Sequence, residues 1–236
     1  MVAGEEYVAA ITAVESDRRA RRAFQELVLE MTAPGSCVFD FGAGSGIDAK
    51  FYAERGFRVV AYDADPRMCA SFVRHCRREI ESGQIRLYHG EYRDFLQTQM
   101  PAMRDQYVID AVTANFAPLS LIDDLHELFA KLHALTGPNA MLFASVLSPE
   151  FIGDMRYAWW WTNRITYWRH AQFRVAGDRG SIFRRSLGNF TAQAAPYFTL
   201  QNAIRGLSRK AGSRVRSSGR VALALSRYTF LVFAKR

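Results

Sequence analysis

Gly42-Ala43-Gly44-Ser45-Gly46 follows directly on the apolar run Cys37-Val38-Phe39-Asp40-Phe41, and Asp63 ends a second apolar run, Phe57 to Tyr62. Glycines at the carboxyl end of a strand leave backbone amides and an unobstructed surface at the crevice above a sheet. Gly42 and Gly44 let the chain turn and let a ligand approach the backbone, while Gly46 lets a helix begin close by. A carboxylate at the end of the next strand can accept both hydroxyls of a ribose, so the chemistry these residues suit is capture of a ribose-bearing cofactor. Two cofactor classes use such an arrangement. The dinucleotide fingerprint GxGxxG needs glycine where this chain has Ile47, and the spacing here is GxGxG instead.

With that spacing, Val38 through Gly46 matches the form hhDhGxGxG, and the sequence resembles class I S-adenosylmethionine-dependent methyltransferases. The resemblance extends through Val60-Ala61-Tyr62-Asp63-Ala64-Asp65-Pro66-Arg67-Met68, similar to that family's ribose-binding segment, and more weakly to Tyr228 through Lys235, similar to its final strand. It implies S-adenosyl-L-methionine as cofactor and a doubly wound α/β sheet of seven strands, order 3-2-1-4-5-7-6, with the last strand antiparallel. It also implies residue roles. Asp40 orders the loop and the methionine ammonium region; Gly42, Ala43, Gly44 and Gly46 form the loop that lines the methionine; Asp63 binds ribose; Ala64 and Met68 flank the adenine. Gly90-Glu91-Tyr92 places Glu91 where the family often has an acid on the adenine amine, and Asn115-Phe116 follows strand four, where the family faces the transferred methyl.

Methyl transfer asks the protein chiefly for alignment and desolvation, with a general base only if the nucleophile carries a proton that must leave. The paired prolines that family members acting on base or amide nitrogens carry after strand four are missing from Asn115-Phe116-Ala117-Pro118. His75, His126 and His133 fall within predicted helices. His89 and His170 are therefore the histidine candidates for a base, and His170 and Tyr157 are the catalytic candidates preferred here. The segment Tyr157 to Trp168, YAWWWTNRITYW, repeats Trp160, Arg164 and Trp168 at four-residue spacing, which puts them on one helix face. These three are expected to wall an acceptor pocket, the arginine meeting a substrate anion. Plain packing of the aromatics onto the sheet, or a helix at a lipid headgroup boundary, would use the same residue types.

These residues need a frame that presents them together. A helix through about Met31 is predicted, then strands at Cys37 to Phe41, Phe57 to Tyr62, Ile85 to His89, Tyr107 to Ala114 and Ala140 to Leu147, alternating with helices including Pro66 to about Ile80, Glu91 to Gln97 and Leu121 to Leu135. This alternation argues for a parallel sheet covered on both faces. Past Ser148-Pro149 the pattern changes to one aromatic, basic helix from Asp154 to about His170 and a hairpin, Phe173 to Val175 with Ile182 to Arg184. A helix from Asn189 to Pro196, a strand from Tyr197 to Ile204, a basic loop from Arg205 to Arg220 and a closing strand from Tyr228 to Ala234 follow. A chain of 236 residues suits one domain, with residues 151–187 as an insertion capping the substrate side.

Charge is unevenly spread: residues 1–150 carry a net −6 and residues 151–236 a net +14, with only Asp154 and Asp178 as acids in the second part. That asymmetry suits a phosphate-bearing or otherwise anionic partner. The expected partner is a small-molecule or lipid-linked acceptor, anionic or amphipathic, with peripheral contact to an anionic membrane as a further candidate. Nucleic acid is disfavoured, because no RNA module is recognisable and the basic loop lacks interleaved aromatics. An RNA methyltransferase and a non-catalytic cofactor-binding or membrane-docking module are the alternatives. Cys37, Cys69 and Cys76 form no CxxC pair and no cluster of metal spacing, so no metal is expected. The acidic start, Met1 to Glu6, and the shortness of every apolar run lead to the expectation of a soluble, cytoplasmic protein.

Overall fold

The computed structural model describes residues 15–177, 180–205 and 227–236. Its elements run α1 (Glu15–Met31), β1 (Cys37–Phe41), α2 (Ile47–Ala53), β2 (Arg58–Asp63), α3 (Pro66–His75), α4 (Arg77–Glu81) and β3 (Ile85–His89). A composite helical stretch follows, α5 (Tyr92–Asp94), a π turn (Phe95–Gln99) and α6 (Met100–Arg104), leading to β4 (Ile109–Ala114). A 3-10 turn (Pro118–Leu121), α7 (Leu125–Leu135) and β5 (Thr136–Leu147) complete the alternating part. The later elements are a 3-10 turn (Ile152–Arg156), α8 (Ala158–Thr162), α9 (Arg164–His170), β6 (Gln172–Gly177), β7 (Gly180–Arg185), α10 (Leu187–Ala194), β8 (Phe198–Arg205) and β9 (Tyr228–Lys235).

The main sheet has seven strands in the order β3-β2-β1-β4-β5-β9-β8. Neighbours from β3 to β5 pair in parallel, and β9 runs antiparallel to both β5 and β8. With the hairpin β6–β7 set aside as a separate two-stranded sheet, this is the expected order 3-2-1-4-5-7-6. β1 is buried along its whole length, as a central parallel strand must be. Its alternate residues feed opposite faces: Cys37, Phe39 and Phe41 join the core under α6 and α7, and Val38 joins the core under α1, α2 and α3. The chain therefore reverses direction of winding at β1 and β4, which opens a crevice above their carboxyl ends.

Four helices differ from the sequence expectation: the short one expected from Glu91 to Gln97 runs on through the π turn and α6 to Arg104. The aromatic helix expected from Asp154 to His170 is instead a 3-10 turn followed by α8 and α9, with Asn163 between them at ψ 0°, where the Asn163 side-chain amide donates to the Trp159 carbonyl at 2.8 Å and competes with the helical backbone bond. The helix from Pro66 is interrupted at Cys76, whose thiol donates to the Gly46 carbonyl at 3.4 Å. The helix expected from Leu121 starts at Leu125, where the Asp124 side chain accepts from the Glu127 amide. The basic loop expected over 205–220 lies, beyond residue 205, outside the described residues. Among the described residues no helix is long and apolar enough to cross a membrane.

Candidate active site

The glycine loop is held against the ends of β1 and β2. The Gly42 and Ala43 amides both donate to the Tyr62 carbonyl, at 2.8 and 2.9 Å. The Gly44 amide donates to Asp63 Oδ2 at 2.7 Å, and the Asp65 amide donates to Oδ1 at 2.9 Å. Asp63 thus faces the loop, fixed by two backbone donors. Gly42, Gly44 and Gly46 have φ of 73°, 58° and 83°, a region costly for residues with a Cβ. Their surroundings differ. A Cβ on Gly42 would lie 2.5 Å from Pro118 Cβ, one on Gly46 would lie 2.6 Å from Cys76 Sγ, and one on Gly44 would meet no heavy atom within 4 Å. Gly42 and Gly46 are required by the protein's own packing, whereas Gly44 opens onto empty space where a ligand can approach.

Beneath the loop lies a buried polar cluster. Asp40 accepts from the Thr113 hydroxyl at 2.9 Å through Oδ1, and its Oδ2 is buried without a partner among the described residues. Burial, then the neighbouring Asp48 carboxylate, push the Asp40 pKa up to about 7. Asp48 accepts from Arg21 at 2.5 Å, Gln25 at 2.6 Å and Asn115 at 3.1 Å. Asn115 Oδ1 in turn accepts from the Ser145 hydroxyl at 3.1 Å. Tyr52 is fully buried nearby with its hydroxyl unpartnered among the described residues, and burial followed by Asp48 raises its pKa. The hydrogen bonds of Asp48 and Asn115 tie α1, α2, the end of β4 and β5 into one unit.

After β4 the backbone turns sharply through Phe116 and Ala117, both non-glycine residues in the left-handed region at φ 58° and 64°. Each such residue costs roughly 1–2 kcal/mol. The Phe116 amide donates to Asn115 Oδ1 at 2.9 Å and the Ala117 amide to Ser145 Oγ at 3.3 Å. Arg21 stacks over the Phe116 ring at 4.5 Å and Tyr228 meets its edge at 5.4 Å. The surrounding residues over-determine the turn, which is how strained backbone persists beside a functional crevice.

Two cavities flank this centre. One, of about 490 Å³, is lined by Ala64, Pro66, His89, Gly90, Glu91 and Tyr92. It brings together Ala64, Glu91 and Tyr92 as named from the sequence; Met68 is buried within α3 and does not line it. Glu91 caps α5, its carboxylate accepting from the Arg93 and Asp94 amides at 2.8 and 3.1 Å. The other cavity, of about 590 Å³, lies between the ends of β5 and β9 and the segment that follows β5; its wall includes Glu150, Trp160, Arg164, Tyr167 and Arg185. The Arg164 guanidinium stacks over the Trp160 ring at 4.2 Å, and Trp160 Nε1 and Arg164 Nη1 are buried without hydrogen-bond partners among the described residues.

Trp168 does not join Trp160 and Arg164: it is 78% exposed and off the cavity wall. Arg164 and Trp168 share the unbroken helix α9, but Arg164 sits at its start, over Trp160 on the wall, whereas Trp168 lies one turn further along, beyond where the wall ends. Tyr157 stacks on Trp159 at 5.9 Å and His170 is exposed at the end of α9; neither lines the cavity. Two arginines of the basic segment are buried. Arg184 pairs with Asp154 at 3.0 Å and donates to the Ser148 carbonyl, while Arg185 donates to the Ile122 and Asp123 carbonyls at 2.8 and 2.9 Å. Burial lowers the Arg185 pKa to about 10. These arginines fasten the hairpin β6–β7 to the segments that follow β5 and precede α7. Sequence reasoning missed Arg21, Gln25, Asp48 and Arg185. The four-residue spacing of Arg21 and Gln25, and an acid two residues beyond the last glycine, were the available signals.

A family model describing a methyltransferase domain matches residues 15–186. Among curated proteins, ribosomal protein L11 methyltransferase of Pelotomaculum thermopropionicum is 30% identical over 93 residues, which is 39% of this chain and 30% of that protein. The chain therefore matches under a third of that relative's length. Among solved structures, 1,6-didemethyltoxoflavin-N1-methyltransferase of Burkholderia thailandensis, with 1,6-didemethyltoxoflavin and S-adenosylhomocysteine bound, aligns at TM-score 0.62 and 17% identity, covering 99% of this chain and 87% of that one. An S-adenosylmethionine-dependent methyltransferase from Mesorhizobium loti aligns at TM-score 0.60 and 15% identity, covering 92% and 98%. At these identities the structural likeness concerns the fold.

Proposed function

The chain belongs to the methyltransferase-domain family, and from that premise we propose that it uses S-adenosyl-L-methionine to methylate O or N of a small, anionic or amphipathic acceptor held in the cavity beside β5. The residues present fit the cofactor. Gly44 leaves open space beside a fixed carboxylate, and Asp40 keeps a buried oxygen without a partner among the described residues, suited to a ligand that carries positive charge. When bound, the cofactor supplies a methyl group on an electrophilic sulfonium.

The chain's own residues do the rest. Asp63 accepts the ribose hydroxyls. Ala64, Glu91 and Tyr92 line the space for the base. The Asn115–Phe116 turn, which lines neither cavity, is braced by Ser145 and Arg21 and fixes the end of β4. On the acceptor side, Arg164 and Trp160 offer buried N–H donors to an anionic or carbonyl group, and alignment in a water-poor cavity is the main source of rate. Where the acceptor atom carries a proton, Glu150 is the carboxylate on the wall that can take it, within 3.4 Å of the Tyr167 hydroxyl. His170 and Tyr157 lie outside that wall.

The observation that carries the acceptor class is the pair of buried, unpartnered donors, Trp160 Nε1 and Arg164 Nη1, on the wall of a cavity of about 590 Å³. Unmet donors in such a site favour a ligand that accepts hydrogen bonds. Incubation with labelled cofactor and a fractionated extract tests the reading. Label in acidic or amphipathic small molecules is the expected result; label confined to RNA or to protein overturns it.

A further inference from the structure

The α8–α9 run has two faces with opposite fates. Trp160 and Arg164 turn inward onto the cavity wall, whereas Trp161, Ile165 and Trp168, at i, i+4 and i+7, turn outward and are 57%, 62% and 78% exposed. The exposed side chains of Ile152, Met155 and Tyr157 extend the same segment's apolar surface, and Ile152 and Met155 also reach the cavity rim. Single exposed apolar residues are ordinary; six large ones within seventeen consecutive residues form a contiguous-sequence patch that calls for a partner.

Charge identifies the partner. Arg156, Arg169, His170 and Arg174 are exposed around the patch. The single acid in residues 151–177 is Asp154, which is buried and paired with Arg184. Among the described residues of this segment, the surface therefore presents cations and aromatic rings with no accessible carboxylate. Tryptophan with arginine is the pairing that suits a headgroup boundary, the ring entering the acyl edge and the guanidinium meeting phosphate. A second copy of the chain docked face to face would set these arginines against themselves with no acid to offset them.

We propose that the outward face formed by Trp161, Ile165 and Trp168, with Arg156 and Arg169 beside it, docks this protein on an anionic bilayer surface. The docking does not depend on which acceptor the cavity takes. Co-sedimentation of the full chain with vesicles tests it, using equimolar phosphatidylcholine and phosphatidylglycerol against phosphatidylcholine alone. Binding to the anionic vesicles, a blue shift of tryptophan emission and release at high salt are expected. The Ile165→Ser/Trp168→Ser double variant should bind at least about tenfold more weakly while keeping the wild-type melting temperature. If that variant does not fold, Arg169→Glu should show the same loss. Failure of the wild-type chain to bind anionic vesicles at low salt overturns the proposal. So does equal binding by a folded variant, or a concentration-dependent dimer that the double variant abolishes.

Discussion

Asp40→Asn should make the protein more stable above neutral pH. The Asp40 carboxyl is buried in β1, one oxygen accepting from Thr113 and the other unpartnered among the described residues, and its pKa stands at about 7 against an ordinary 3.8. Between those values the folded state holds a proton that the unfolded state has released. The stability associated with that proton is fully present below the unfolded pKa and is lost as pH rises through about 7. At about 1.4 kcal/mol per pKa unit, the ionised group costs the folded state roughly 4 kcal/mol at pH 8. Asparagine keeps the acceptor for Thr113 and removes the charge, but it places an amide donor where Oδ2 lacks a partner, which costs roughly 1–3 kcal/mol. The net gain is about 1–3 kcal/mol at pH 8, which is a rise of roughly 2–12 °C in melting temperature for a domain of this size. At pH 5 the wild-type carboxyl is already protonated and the gain disappears. Thermal melts of both proteins at the two pH values measure this. A variant that melts at or below the wild-type temperature at pH 8, or gains as much at pH 5, would refute the burial argument.

Asp63→Ala removes the carboxylate that faces the glycine loop and should weaken S-adenosylhomocysteine binding by roughly 1.5–3 kcal/mol in titration calorimetry. Gly42→Ala drives a Cβ to 2.5 Å from Pro118 and should destabilise the fold more than Gly44→Ala, whose Cβ meets nothing within 4 Å; denaturant titration should give roughly 1–2 kcal/mol for Gly44→Ala from its backbone alone and more for Gly42→Ala. Gly44→Ala should instead cost cofactor affinity, which calorimetry separates from stability. Arg164→Ala should lower kcat/KM for the acceptor, once identified, while cofactor affinity stays within about twofold, the signature of lost transition-state positioning of one substrate.

The alternation of apolar runs with helical periods determined the sheet, because a central parallel strand must be apolar on both faces and its crossovers must be amphipathic. Glycine spacing and an acid at the next strand end are local signals, so the loop at Gly42 to Gly46 and the carboxylate of Asp63 at the end of β2 were legible from the sequence, whereas the Gly44 amide bond that fixes Asp63 was not. Local signals could not say why each glycine is needed: Pro118 and Cys76, the residues that forbid a Cβ at Gly42 and Gly46, are 76 and 30 positions away. Nor could they reveal the Asp40–Asp48–Arg21 cluster, since a buried carboxylate and an exposed one read alike in a sequence. Helical spacing grouped Trp160, Arg164 and Trp168, but spacing cannot say where a cavity wall ends: Arg164 lies over Trp160 on that wall, and Trp168, one turn further along α9, is exposed. The charge count likewise could not say which cations face solvent: Arg184 and Arg185 are buried, holding the hairpin to the segments after β5 and before α7. Periodicity and spacing fix what neighbours in sequence must do; only tertiary packing decides which polar groups are removed from water, and that removal sets the pKa of Asp40 and the unmet donors of the cavity beside β5.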